Sequence, residues 1–266
     1  RNGIVAPEVV RAAVTSDTIL VSIMHANNEI GVVHDIAGIG AVCREADVVF
    51  HVDAAQSAGR LPIDVQRQCV DLLSLTAHKL YGPKGIGALF LNRQSLRRIE
   101  PLMHGGGQEH GLRPGTLPTH QIVGMGEAFE LANRDMDDDT ARITTLRDQL
   151  WDGICNVPGV MLNGHPDQRL CSILCVSVAG VEGESLLFSL RDLAVTSGAA
   201  CNSAANESSY VLRSLGRSDQ LAHSSIRFSL GRFTTSEEVK FAVASFRQAV
   251  DHLHSMLPGR QAIVTG

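Results

Sequence analysis

Strand-length apolar runs alternate with helical-period segments through the first half of the chain. Residues 19–24, 48–52 and 70–75 are short runs rich in Val, Ile, Leu and Phe, each ending in polar residues. Residues 7–15 read as a short helix opened by Pro7, and Ile36 to Ala46 carries apolar residues at helical spacing, crossing from the first run to the second. Leu61 to Gln68 reads as an irregular or short helical connection into the third run. Residues 86–91 form a further strand pattern. Only about ten residues separate it from the run before, too few for a helical crossover, so antiparallel pairing is expected there. His120 to Ile154 reads as a long helix, broken or bent near Asp135 to Asp139. Beyond it come strands at 172–178, 194–196 and 226–230, a helix at 184–190, and an amphipathic helix from Ser236 to Leu253. That last helix has Ser236 as its cap and Glu237-Glu238 in its first turn. The pattern is α/β: a mostly parallel sheet in residues 1–135 and a smaller α/β domain in 136–266.

Composition narrows the classes. Among 266 residues, 44% are hydrophobic and 19% charged, as in an ordinary globular chain, and a formal charge of −5 offers no footprint for nucleic acid. No apolar stretch reaches 18 residues, so no membrane span is expected, and the first residues carry no apolar signal core. They read as the middle of a domain. The six cysteines include no Cys-x-x-Cys pair; Cys171 and Cys175 alternate inside an apolar run and read as core thiols rather than as metal ligands. A reducing compartment fits this usage.

Candidate chemistry gathers where the apolar runs end. Lys79 follows the run at 70–75 and precedes Tyr81-Gly-Pro-Lys-Gly-Ile-Gly87, which is too rich in Gly and Pro to extend a strand or helix. A lysine on such a turn is either a solvated surface group or a desolvated amine able to form a Schiff base with a carbonyl. Asp53 ends the run at 48–52. A carboxylate there suits a pyridinium nitrogen, the partner that pyridoxal phosphate (PLP) requires, and Gln56 could donate to that ring's phenolate oxygen. His25-Ala-Asn-Asn-Glu29 closes the run at 19–24 and brings Asn28 to a third strand end, while Thr76 and His78 flank Lys79. Ligands of open parallel sheets bind outside such carboxyl ends. The segment Gly105 to Thr116 is either surface loop or an anion-approaching loop through its amides, Arg113 and Thr116. Cys201 lies in a small, polar run without apolar period, an exposed thiol that is either incidental or reactive. Arg227, among apolar residues of a strand pattern, needs an anionic partner, either a structural carboxylate or a ligand.

Four segments together, His25-Ala-Asn-Asn-Glu-Ile-Gly31, His51-Val-Asp-Ala-Ala-Gln56, Ala77-His-Lys-Leu-Tyr-Gly-Pro-Lys84 and Ser197-Gly-Ala-Ala-Cys201, resemble the cysteine desulfurases of the iron–sulfur assembly class. Those are PLP enzymes of aminotransferase class V. The resemblance covers almost the whole chain and implies the fold-type-I architecture of PLP-dependent transferases, with a partial large domain. It implies conversion of L-cysteine to L-alanine, with a persulfide on Cys201 supplying sulfur for iron–sulfur clusters and tRNA thiolation. Lys79 would hold PLP and move the α-proton; Asp53 would keep the ring nitrogen protonated. Gln56, Asn28, Thr76, His78 and Thr116 would contact the cofactor, Thr116 from across a dimer interface, and His78 could assist proton transfer. Arg227, with Asn28, would take the substrate carboxylate; no metal is implied. Expected partners are iron–sulfur scaffold and sulfur-acceptor proteins and a second copy, in the cytoplasm, with no nucleic acid or membrane.

Some features depart from the family. Its phosphate loop and its ring-stacking histidine have no counterpart here, and Arg1 matches a point about a third of the way along such chains, which implies a fragment, a split enzyme or a truncated product. The chain alone is then expected to bind PLP poorly. The residues after Leu257 lack the usual scaffold-docking extension. Thr76-Ala77 stands where Ser-Gly is commoner, and Ala199 where Ser is. A selenocysteine lyase and a non-catalytic subunit that needs a partner chain are the alternatives.

Overall fold

The computed structural model describes residues 2–93, 99–197 and 208–256. They divide into two compact units. One comprises Val5–Ala26 and His34–Met136; the other comprises Arg1–Ile4, Asn27–Val33 and Asp137–Gly266. The sequence reading placed all of 1–135 in one piece; the fold gives 27–33 to the second unit.

The amino-terminal unit holds α1 (Pro7–Ala13), β1 (Leu20–Met24), α2 (Ile36–Glu45), β2 (Val49–Asp53), β3 (Leu72–Thr76), β4 (Gly87–Leu91) and the first half of α3 (Thr119–Ile154). Its sheet runs β1-β2-β3-β4. The first two pairings are parallel and β3–β4 is antiparallel, as the short connection requires. Side chains alternate between faces, so Val21, Ile23, Phe50, Val52, Leu73 and Leu75 share one face, packed on Val10 of α1 and on Ile36, Ile39, Val42 and Cys43 of α2. Asp35 caps α2 by accepting from the Gly38 amide at 2.9 Å. The opposite face carries Ser22, His51 and Ser74, joined in one row: His51 bonds both hydroxyls, at 2.7 and 2.8 Å. Leu20 and Leu89 are exposed on that face.

The carboxyl-terminal unit contains an antiparallel sheet ordered β5-β6-β8-β7, made of β5 (Val160–Leu162), β6 (Ile173–Val178), β7 (Thr196–Ser197) and β8 (Ser225–Ser229). One face packs on Ile143, Leu146, Leu150 and Ile154 of α3 and on Val239, Phe246 and Val250 of α7 (Ser236–Ser255). Cys175 on the other face joins Ile30, Val32, Leu212 and Ala222 in a second apolar cluster. The short helices α4 (Gly183–Ser189), α5 (Tyr210–Ser214) and α6 (Asp219–His223) complete the unit.

Two expectations are corrected. α3 continues unbroken through Asp135–Asp139. No Pro or Gly interrupts that stretch, and its acids find partners: Asp135 pairs with Arg134 at 2.7 Å and Asp139 with Arg232 at 2.7 Å. The cap of α7 is Thr235, whose hydroxyl accepts from the Glu238 amide while Glu238 accepts from the Thr235 amide. β5, α5 and α6 are each too short to show a period in sequence.

Candidate active site

β2 and β3 deliver their carboxyl ends side by side, with Asp53 in register with Ser74. Asp53 is exposed, and its side chain accepts from the Ala55 amide at 2.9 Å, which turns the chain out of the sheet. Thr76 lies two residues beyond Ser74, on the same sheet face. Its hydroxyl and His78 Nδ1 share a hydrogen bond of 2.8 Å. Lys79 lies in a 3₁₀ turn, His78–Leu80, that ends on Tyr81 in the left-handed region (φ 65°). Non-glycine residues enter that region at a cost, so the turn is held by its surroundings. Leu80 is buried beneath it, and Gly82 lies where a β-carbon would come within 3.1 Å of the Ala77 carbonyl. Arg60 is a residue the sequence reading missed. It donates to the Gln56 carbonyl at 2.9 Å and to the Lys79 carbonyl at 2.8 Å, tying the two turns together. No signal in the sequence marks it, since both acceptors are backbone atoms.

Buried histidines line the start of the next connection. His25 donates its amide to the Asp53 carbonyl at 2.9 Å and accepts from the His34 amide at 2.9 Å. Burial, with a smaller push from His34, drives the His25 imidazole down to about 4. A cavity of about 770 Å³ opens at the other end of this sheet, lined among others by Cys43, Cys69, Asp71 and Phe90. None of Asp53, Thr76, His78 or Lys79 borders it.

In the carboxyl-terminal unit, Arg227 of β8 donates from Nη1 to the Asn28 carbonyl at 2.9 Å. The Asn27 side chain folds residues 27–31 by accepting from the Glu29 and Ile30 amides, each at 2.9 Å. Gly31, at φ 74°, supplies the conformation that closes this turn. Glu29 is buried and takes a hydrogen bond from Ser209 Oγ at 2.5 Å. Burial raises its carboxyl above the usual range, opposed by the Ser209 bond and the charge of Arg227. Glu29, Ser209 and Thr196, the residue in register with Arg227, were also missed.

The expected residues therefore fall into two groups. Asp53, Gln56, Thr76, His78 and Lys79 belong to the amino-terminal unit, and Asn28 and Arg227 to the other. Thr116 is exposed in the segment after the 3₁₀ turn Gln108–Gly111. Cys201 lies outside the described residues. Of the other thiols, Cys43, Cys171 and Cys175 are buried, and Cys69 and Cys155 are half-buried. Arg232 pairs with Asp139, a structural role. Among the described residues, no helix is long and apolar enough to cross a membrane.

Known proteins resemble the chain throughout. A protein named cysteine desulfurase IscS, from Shewanella loihica, is 58% identical over 257 residues, 97% of this chain and 64% of that protein. Its namesake from Shewanella woodyi is 57% identical over the same shares. The chain thus spans 64% of the length of these curated relatives. Among solved structures, a NifS-like protein from Rickettsia africae superposes with a TM-score of 0.84 at 30% identity, covering 94% of this chain and 67% of that one. A cysteine desulfurase from Thermococcus onnurineus, 22% identical with a TM-score of 0.82, shares the fold. Residues 1–241 match the aminotransferase class-V family, and with the α/β architecture and the strand-end lysine in place the chain belongs to that family.

Proposed function

We propose that this chain is the larger part of a PLP-dependent cysteine desulfurase that converts L-cysteine to L-alanine and carries the sulfur on Cys201. The observation that carries the reading is the group at the ends of β2 and β3: an amine, Lys79, with a carboxylate, Asp53, and the bonded pair Thr76–His78. That donor set fits PLP. A carboxylate suits a protonated ring nitrogen, a hydroxyl and an imidazole suit a phosphate, and the amine suits the aldehyde. Gln56 and Asn28 would add polar contacts, and Thr116 would reach the cofactor of a second copy.

When bound, PLP supplies an electron sink for the bonds at the substrate's α-carbon. Lys79 would hold it and afterwards move the proton at that carbon. Asp53 would retain the proton on the ring nitrogen. Arg60 holds the backbone of Lys79 and Gln56 in place, so the amine is presented from a fixed turn. Arg227, oriented by the Asn28 carbonyl, would take the substrate's α-carboxylate. The Cys201 thiolate would attack the substrate sulfur: the S–S bond forms, the C–S bond breaks, and the electron pair left on carbon takes a proton to give alanine. Iron–sulfur scaffolds and sulfur acceptors are the partners this chemistry calls for, and the cytoplasm the compartment.

A chimera in which this chain replaces the matching 257 residues of the Shewanella loihica protein tests the reading. With PLP and sulfur-labelled L-cysteine, it should release alanine and hold label that a thiol reductant removes. Lys79→Ala should abolish both; Cys201→Ser should abolish the label. A folded chimera that forms no alanine, or a Cys201→Ser variant that still takes up reducible label, overturns it.

A further inference from the structure

Glu29 is a buried acid that the chemistry above does not use. It is 8% exposed, in a turn closed by the Asn27 side chain, which accepts from the Glu29 amide at 2.9 Å. Its Oε2 accepts from Ser209 Oγ at 2.5 Å, across 180 residues of chain. Ser209 is 1% exposed and also caps α5, accepting from the Leu212 amide at 3.2 Å. The neighbouring Ser208 donates to Asp219 at 2.7 Å. Two carboxylates therefore pin the two residues at which the described fold resumes after Cys201. The fold leaves off before Cys201 at Ser197 of β7, where Thr196 is in register with Arg227. Arg227 is also near enough to Glu29 for its charge to act on that carboxyl. One residue of β8 thus stands beside one end of the Cys201 segment directly and beside the other through Glu29.

Stability does not ask for an acid at this place. Burying a carboxyl costs desolvation, and a polar pair exchanged for apolar groups of the same shape is often neutral or stabilising. What the pair supplies is direction and a fixed length. A short, charge-assisted hydrogen bond holds its two ends in one geometry, which apolar contact specifies less tightly.

We propose that Glu29 is a positioning residue for sulfur transfer: through Ser209 it fixes the carboxyl-side end of the segment that carries Cys201, and so sets where the thiol meets the substrate sulfur. This rests on the reading of Cys201 as the sulfur carrier. It adds a residue that acts through that segment and touches neither cofactor nor substrate.

The chimera with the Shewanella loihica protein separates two parts of the reaction. Loss of the α-proton of L-alanine in heavy water needs PLP and Lys79 but no thiol; labelling by sulfur-labelled L-cysteine needs Cys201 in place. Glu29→Asp keeps the carboxyl and withdraws it by one methylene. It should slow labelling about ten- to a hundredfold, the cost of misplacing a reacting group by about 1 Å, and leave exchange on L-alanine unchanged. Ser209→Ala should show the same split, and Ser209→Thr should keep labelling at the wild-type rate. Combining Glu29→Asp with Ser209→Ala should be no slower than the slower single variant, because both break one contact. In the chain alone, without PLP, amide exchange over residues 208–214 should quicken in Glu29→Asp while that of α7 stays the same. Labelling and L-alanine exchange that fall in equal proportion would show a general loss of structure and overturn the proposal. Labelling at the wild-type rate in Glu29→Asp, or unchanged amide exchange at 208–214, overturns Glu29 alone. A wild-type chimera that takes no label at Cys201 overturns the desulfurase reading, and this proposal with it.

Discussion

β6 and β4 are both short strands of mainly apolar residues, and they meet opposite fates. All six residues of β6 are buried, whereas four of the five in β4 are exposed. β6 has β5 on one side and β8 on the other, with an apolar cluster against each face. β4 pairs only with β3 at an edge, and the face it shares with Ser22, His51 and Ser74 has no apolar cover among the described residues. The two sheets therefore hold their polar residues for different reasons. In the carboxyl-terminal unit a polar group inside the sheet, such as Arg227, must be satisfied by specific partners. In the amino-terminal unit Asp53 and Thr76 lie on the open face, where solvent or a ligand can meet them. A sheet with one packed face keeps reactive groups accessible; a sheet packed on both faces keeps them few and fixed.

The widest gap between the units should appear in their apolar side chains. Phe246 is fully buried, edge-on to Phe228 at 5.8 Å between ring centres. Phe246→Ala should cost about 3–5 kcal/mol by denaturant titration. Leu89→Ser, on the open face, should cost under about 0.5 kcal/mol. Equal losses would show that the Leu89 face is covered in solution.

Acidity should separate the units by sign. His25 falls from 6.5 to about 4 on burial, so between those values the unfolded chain binds more protons. Its contribution, about 3 kcal/mol, is complete above pH 6.5 and is lost as pH falls through 4. His34, also lowered by burial, acts in the same direction. Glu29 is raised, so there the folded chain binds more protons: its contribution is complete below pH 4.5 and is lost as pH rises through the folded value. Amide exchange in β2 should therefore quicken towards acid, and His25→Gln should flatten that slope. Exchange in β8 should carry the opposite component, removed by Glu29→Gln. Parallel slopes in both strands would break the comparison.

The last effect concerns a helix end. Thr235→Ala removes one member of the capping box of α7 and should cost about 1 kcal/mol, read at the melting transition of the carboxyl-terminal unit. Ser236→Ala should cost much less, because Ser236 is already inside the helix.

The sequence by itself determined the alternation of strands and helices in the first half, the antiparallel return of β4 and the strand-end placement of Asp53, Thr76 and Lys79. Apolar period, Gly-Pro turns and connection length are local quantities, and they survive in one dimension. Only the tertiary structure decided that residues 27–33 leave the amino-terminal unit to pack beside Cys175, that Arg60 grips two distant carbonyls, and that Thr196 faces Arg227 across a ladder. It also decided that α3 runs through its acidic cluster, since an Asp139–Arg232 pair joins residues far apart in the chain. Partners of that kind are backbone atoms or remote side chains, and no spacing along the chain encodes which of them a buried polar group will meet.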